Sequence, residues 1–153
     1  MAIEGLSDLQ RDLLDVANKK LPKESIKIMR KAGSKARTQV ARKARQEVKK
    51  KTGKYHNKWK RGKVFKGIGG EMVVRVINSS PHAHLIEHGH RQVMNPPKSE
   101  GRGFIPGKGI GEEVGFVPGK KVLDKGMRDF EASGQYENML SKWLDELLKD
   151  GKL

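Results

Sequence analysis

Between residues 23 and 51 the chain sets Ile26, Met29, Ala36, Val40, Ala44 and Val48 at three- and four-residue steps, with Gly33 filling one of them. That is the spacing of one face of an α-helix, and it predicts a helix over about Lys23–Lys51. The stripe is narrow and made of small residues, while lysines and arginines fill the rest of the surface. Such a helix gains little by burying one side alone, so it is expected to lean on a sheet, on a neighbouring subunit, or on both. Ahead of it, "SDLQ" from Ser7 forms a Ser-x-x-Gln capping box, and Leu9, Leu13, Val16 and Ala17 line one face of a first helix. Pro22 divides the two helices and suits the first turn of the second. Thr52 and Gly53 end the long helix, with Gly53 placed for a left-handed cap.

The period then changes. "KVFKGIGGEMVVRVINSS" predicts two strands around a Gly69-Gly70 turn, and the β-branched "MVVRVIN" is the strongest strand in the chain. Pro81 starts one short helical turn, packed down by Ala83 and Ile86, and Gly89 ends it. Residues 89–119 are rich in Gly, Pro and Lys and read as a long loop, with "VGFV" a candidate for one more strand. The loop holds a near-repeat, "GFIPGK" at 103–108 and "GFVPGK" at 115–120. Val122, Leu123, Met127 and Phe130 face one way on a following helix, and Gly134 breaks it. Tyr136, Leu140, Trp143, Leu144 and Leu147 give a last helix, to Lys149, a clear core face. Helices, then strands, then helices make an α+β domain. A small antiparallel sheet is expected to pack with a long basic N-terminal helix and with C-terminal helices. The 153 residues form one domain: a helical basic arm at 1–53, strands and a short helix at 54–88, a flexible loop at 89–117 and C-terminal helices at 118–150.

Charge sharpens this picture. The net charge is +15, and residues 19–66 carry twenty Lys or Arg against only Glu24 and Glu47. The remainder is nearly balanced. A basic segment on a neutral body favours a polyanion: nucleic acid, an acidic protein surface or anionic lipid. Candidate contacts are Lys35, Arg37, Arg42, Lys43, Arg45, Lys49, Lys50, Lys58, Lys60 and Arg61. In "KYHNKWKRG", Tyr55 and Trp59 can stack on bases, but anchoring a loop on the core is the better use of two aromatics. There is no cysteine, which excludes disulfides and thiolate metal sites. The start lacks the basic-then-apolar order of a signal peptide, and no apolar run approaches the roughly 20 residues of a membrane span. A cytosolic, membrane-free chain is the expectation.

Four of five histidines fall in "PHAHLIEHGH", and His84 to His88 fits the H-x-x-E-H pattern of inverted zinc proteases. A zinc site needs a third ligand, and no downstream Glu stands out. The helix available, from Pro81 to Gly89, would hang the metal pair on its last turn, where preorganisation is poor. "GFIPGK" lacks the glycine spacing and the hydroxyl after Lys108 of a phosphate-binding loop. No Ser/His/Asp arrangement and no Cys nucleophile is present. No catalytic residue, cofactor, metal or small-molecule substrate is therefore assigned.

The order of elements carries more information than any single motif. A long charged helix is followed by "KTGKY", by a strand ending "VINSSPHAHLIEHGH", by a Gly/Pro-rich loop and by "GFVPGKKVLDKGMRDF". This resembles the gene-product-ten-like tail-component family of long-tailed double-stranded DNA phages over roughly residues 5–149. The residues that carry the likeness are Thr52, Gly53, Asn78, Ser79, Ala83, Glu87 and Gly89, then Pro118, Gly119 and Lys120. His82 stands where the family commonly has an aromatic, and His90 where it has Thr. On this likeness H-x-x-E-H is accidental. Glu87 is shared with the family and is expected to accept hydrogen bonds or to meet a cation, the basic helix being one source.

The resemblance implies a structural, non-enzymatic virion protein, assembled in the bacterial host cytoplasm and located at the neck or tail junction. It implies a homo-oligomeric ring, six-fold, that completes or terminates the tail and joins it to the head connector. Connector and tail-tube proteins would be its partners. The basic helix would face either acidic connector surfaces or the genomic DNA, and the sequence does not choose. Two other readings stay open at this stage: a nucleic-acid-binding protein using residues 19–66, and a metal hydrolase using the histidine cluster.

Overall fold

The computed structural model describes residues 21–94 and 112–149. The expected helix from Ser7 and the first copy of the near-repeat lie outside them. Five helices and four strands follow in the order α1 (Leu21–Glu47), α2 (Lys54–Asn57), β1 (Trp59–Lys66), β2 (Met72–Asn78), α3 (Ala83–His88), β3 (Gly89–Met94), β4 (Glu112–Pro118), α4 (Val122–Ala132) and α5 (Gln135–Lys149). The fold is α+β with two small antiparallel sheets, β1–β2 and β3–β4.

Pro22 lies in the first turn of α1, where its missing N–H costs nothing. The helix stops at Glu47, four residues short of the expected end. Gly53 is left-handed as expected (φ 76°), but it caps the start of α2 instead of the end of α1, and Asn57 N–H bonds back to its carbonyl at 3.1 Å. The buried face of α1 comprises Ile28, Ala32, Gly33, Ala36, Val40, Ala41 and Ala44. Ile26 and Met29, expected in the stripe, are only half-buried. The face is centred on the alanines, so the larger residues flank it.

β1 and β2 pair from Trp59 opposite Asn78 to Lys66 opposite Met72, with a register shift between Arg61 and Val64. The turn between them closes with Gly67 N–H to Glu71 O (2.8 Å) and Gly70 N–H to Gly67 O (3.1 Å). The basic aromatic stretch before it is no loose loop. It forms α2 and the first residues of β1, with Tyr55 and Trp59 both buried and edge-to-face at 5.6 Å. With Val40, Ala41, Ala44 and Val122 they make the core, and Ala83, Ile86, Leu123 and Met127 pack on it. Neither aromatic is presented for stacking on bases.

Two expectations fail. The segment 89–117 is not loop throughout: its ends are β3 and β4, paired from Gly89 opposite Pro118 to Met94 opposite Glu112. Its sequence lacks clean alternation, and non-local pairing makes the strands despite that. The face of α5 is not core either. Leu147 is buried, but Tyr136, Leu140 and Trp143 are only half-buried and Leu144 is 47% exposed. Among the described residues α5 packs mainly on the first part of α1 and the end of α4, and Leu144 and Leu148 stay exposed.

α1 is the element on which the others converge. A Cβ on Gly33 would lie 2.7 Å from Val74 Cγ2 in β2, and one on Gly126 of α4 would lie 2.8 Å from Val40 Cα. Sheet and helix thus approach α1 where one partner has no side chain. Gly126→Leu is expected to destabilise the chain by about 1–3 kcal/mol through overpacking against Val40, measured by urea unfolding.

Candidate functional site

The residues singled out in the sequence gather around one junction, where α3 meets the start of α4. α3 is held by Ala83 N–H to Ser80 O (3.1 Å) and Ile86 N–H to His82 O (3.2 Å). Its last turn carries Glu87. That carboxylate accepts the Leu123 N–H at the start of α4, at 3.0 Å to Oε1 and 3.2 Å to Oε2. An anion at a helix N-terminus is favourable, because the first N–H groups have no partner within the helix. The Tyr55 hydroxyl also donates to Glu87, at 3.4 Å. Glu87 therefore meets a helix start and a phenol rather than a cation of the basic helix. Backbone bonds run beside it: Lys120 N–H to Ile86 O at 2.7 Å and Lys121 N–H to Glu87 O at 3.3 Å.

Gly89 and Gly119 make the closeness possible. Gly89 has φ 85°, a conformation that side chains resist, and a Cβ there would lie 2.4 Å from Val117 O. A Cβ on Gly119 would lie 2.2 Å from Glu87 O. Pro118, at the end of β4, is paired with Gly89. The Lys120 ammonium donates to the Glu47 carbonyl at the end of α1. A second set of motif residues ties α2 to the end of β2. Asn78 Nδ2 donates to Tyr55 O and its Oδ1 accepts Ser80 N–H, both at 2.9 Å. Ser79 N–H bonds Lys58 O at 3.1 Å. Thr52 Oγ1 accepts Lys54 N–H at 3.5 Å, a marginal bond. Ala83 is half-buried against the core.

The histidine pattern takes its place in this frame. His82, His84, His88 and His90 are exposed. Among the described residues no three His, Cys, Asp or Glu side chains gather to hold a metal. Glu87, the base such chemistry would need, has its lone pairs directed at Leu123 and Tyr55.

The basic candidates divide. Lys35, Arg42, Arg45, Lys49, Lys50, Lys58 and Lys60 are exposed, and Arg37 is half-buried. Lys43 is drawn inward to Asp129 (3.0 Å) and Glu47 (4.0 Å). Arg61 donates to Gly62 O and lies over Gly33. These last two act in packing α1. Glu47 also pairs with Lys125 at 3.2 Å, so the ion pairs bind α1 to α4.

Sequence reasoning passed over His56. It is only 7% exposed, and its Nδ1 has no hydrogen-bond partner among the described residues. Burial first, then the charges of Arg45 and Lys50, hold its pKa below the ordinary 6.5. The only sequence signal was its place among lysines. Burial, then the charge of Glu87, pushes the Tyr55 phenol well above its usual range.

Glu87→Ala should cost roughly 1–3 kcal/mol in urea unfolding, as the Leu123 N–H loses a charged partner. In that variant the Tyr55 phenol should ionise at lower pH by ultraviolet titration, though still above its usual range, because burial is the larger cause. The folded state takes up a proton on His56 less readily than the unfolded state does. Its contribution to stability is therefore complete above the ordinary value of about 6.5 and is lost as pH falls from there through the lower folded-state value. The unfolding midpoint should drop more steeply on acidification in the native chain than in His56→Phe.

No curated protein and no solved structure matches the chain. A protein-family model does, over residues 8–89: that of "Bacteriophage HK97-gp10, putative tail-component". The match includes α1, both strands of the first sheet and the whole of α3 with Glu87 and Gly89, whereas Pro118, Gly119 and Lys120 fall beyond it. It covers more than half of the sequence, and the chain belongs to the HK97 gp10-like family of phage tail components.

Proposed function

We propose that the protein is a structural subunit of the phage neck or tail junction. Copies assemble as a six-fold ring that completes or terminates the tail and joins it to the head connector. Connector and tail-tube proteins of the same virion are its partners, and it catalyses no reaction. Membership of the tail-component family supports the general role.

The observation that carries the assembly reading is apolar surface left uncovered in the single chain. The β3–β4 hairpin exposes Val93, Val114, Val117 and Phe116, the last at 60%. A two-stranded hairpin is marginal alone, so these side chains call for a cover. On another part of the molecule, Met29, Ala36, Val74, Met127 and Phe130 line an open apolar groove of ≈ 440 Å³. Two unlike apolar surfaces on one chain suit head-to-tail contact between copies, and such contact closes into rings. No helix among the described residues is long and apolar enough to cross a membrane.

A nucleic-acid-binding role is the second reading, favoured by the seven exposed basic candidates on α1, the turn after it, the end of α2 and β1. It predicts DNA affinity that falls steeply with salt. The assembly reading is tested by removing the gene and viewing lysates by electron microscopy. Filled heads beside unattached or overlong tails are expected, and normal virions would refute the role. In the purified protein, Phe116→Asp should shift sedimentation from a multiple of 17.2 kDa toward the single chain.

A further inference from the structure

We propose that the recess between the end of α1, α2 and the start of α3 binds a phosphate group, supplied by a nucleic-acid backbone or by free phosphate. The recess holds ≈ 330 Å³. Lys49, Lys50, Lys51, Lys54, His56 and His82 line it, and no carboxylate does among the described residues. Its apolar part is Val48, Tyr55 and Ile86. The stretch from Lys49 to Lys54 forms one wall because Gly53 turns the chain back, and Lys50 Cε lies 3.3 Å from where a Cβ on Gly53 would sit.

Among the described residues, Glu47 and Glu87 each adjoin a lining residue in sequence, and both are engaged elsewhere. Glu47 pairs with Lys125 and Lys43 on the α4 side. Glu87 caps α4. Four lysines thus line a concave surface that has no carboxylate among its described lining residues, and an oxyanion with several acceptor oxygens answers that arrangement. His56 stands in the wall, nine-tenths buried, with its Nδ1 unpartnered. The positive field is felt there too, since after burial the charges of Arg45 and Lys50 lower the imidazole's pKa. This site goes beyond the ring reading and does not depend on it, because the single chain carries the whole recess.

The test uses the purified full chain, with inorganic phosphate as one probe and a short DNA duplex as the other. Phosphate should shift the NMR signals of the His56 ring and of the 49–54 amides. In the double variant Lys50→Glu/Lys54→Glu, phosphate affinity should fall by about tenfold or more. In Lys23→Glu/Lys31→Glu, which changes charge equally on the exposed side of α1, it should stay within about twofold. The spectrum of each variant reports whether it remains folded. If DNA affinity, read by fluorescence anisotropy at fixed salt, falls with phosphate affinity only in the first variant, the natural source is a nucleic-acid backbone. If only phosphate affinity falls, the source is the free anion. Signals that do not move with phosphate, or an equal loss in both variants, would overturn the proposal.

Discussion

Everything in this fold depends on how near other elements come to the backbone of α1. The helix is rich in lysine and poor in large apolar side chains, so it cannot be held by bulk. It is held by proximity. Val74 sits against Gly33, and Gly126 sits against Val40. Dispersion contacts of this kind are weak singly and lost quickly with distance. Alanines at 32, 36, 41 and 44 keep the whole face shallow. Lys43, Glu47, Lys125 and Asp129 then fasten the border between α1 and α4 with half-exposed ion pairs, which add alignment more than energy.

The second organising feature is Glu87. An acid between two histidines invites a catalytic reading, and its surroundings supply a different one. Its oxygens complete the first turn of α4 and meet the Tyr55 hydroxyl. It thereby joins three pieces of chain far apart in sequence: α2, α3 and α4. The histidines around it are exposed, while the acid is held on both sides. Two glycines lie beside it. Those glycines, Gly89 and Gly119, let backbone lie directly on backbone at the same place.

The parts legible in the sequence were those with local causes. The 3.6-residue period announced α1 and α4, the β-branched run announced β2, and Pro81 with Gly89 bracketed α3. The ordered set Thr52, Gly53, Asn78, Ser79, Ala83, Glu87 and Gly89 pointed to the family, and Asn78, Glu87 and Gly89 have visible tasks in the fold. What escaped had non-local causes. β3, and β4 beyond the "VGFV" already read as a strand, exist through pairing across seventeen intervening residues, and Arg91 and Gln92 blur the alternation of β3. The stripe on α5 is well formed yet largely open, since periodicity reports amphipathicity and not the presence of something to cover it. Burial of His56 depends on the fold of α2, which no periodicity marks.

The hairpin β3–β4 leaves the body at a single root, where Gly89 and Pro118 face each other beside the clasp of Glu87 on α4. A ribbon fixed at one end in this manner behaves as a cantilever. Its bearing is set by the body, and a load on its free strands is passed to α4, and through α4 to α1.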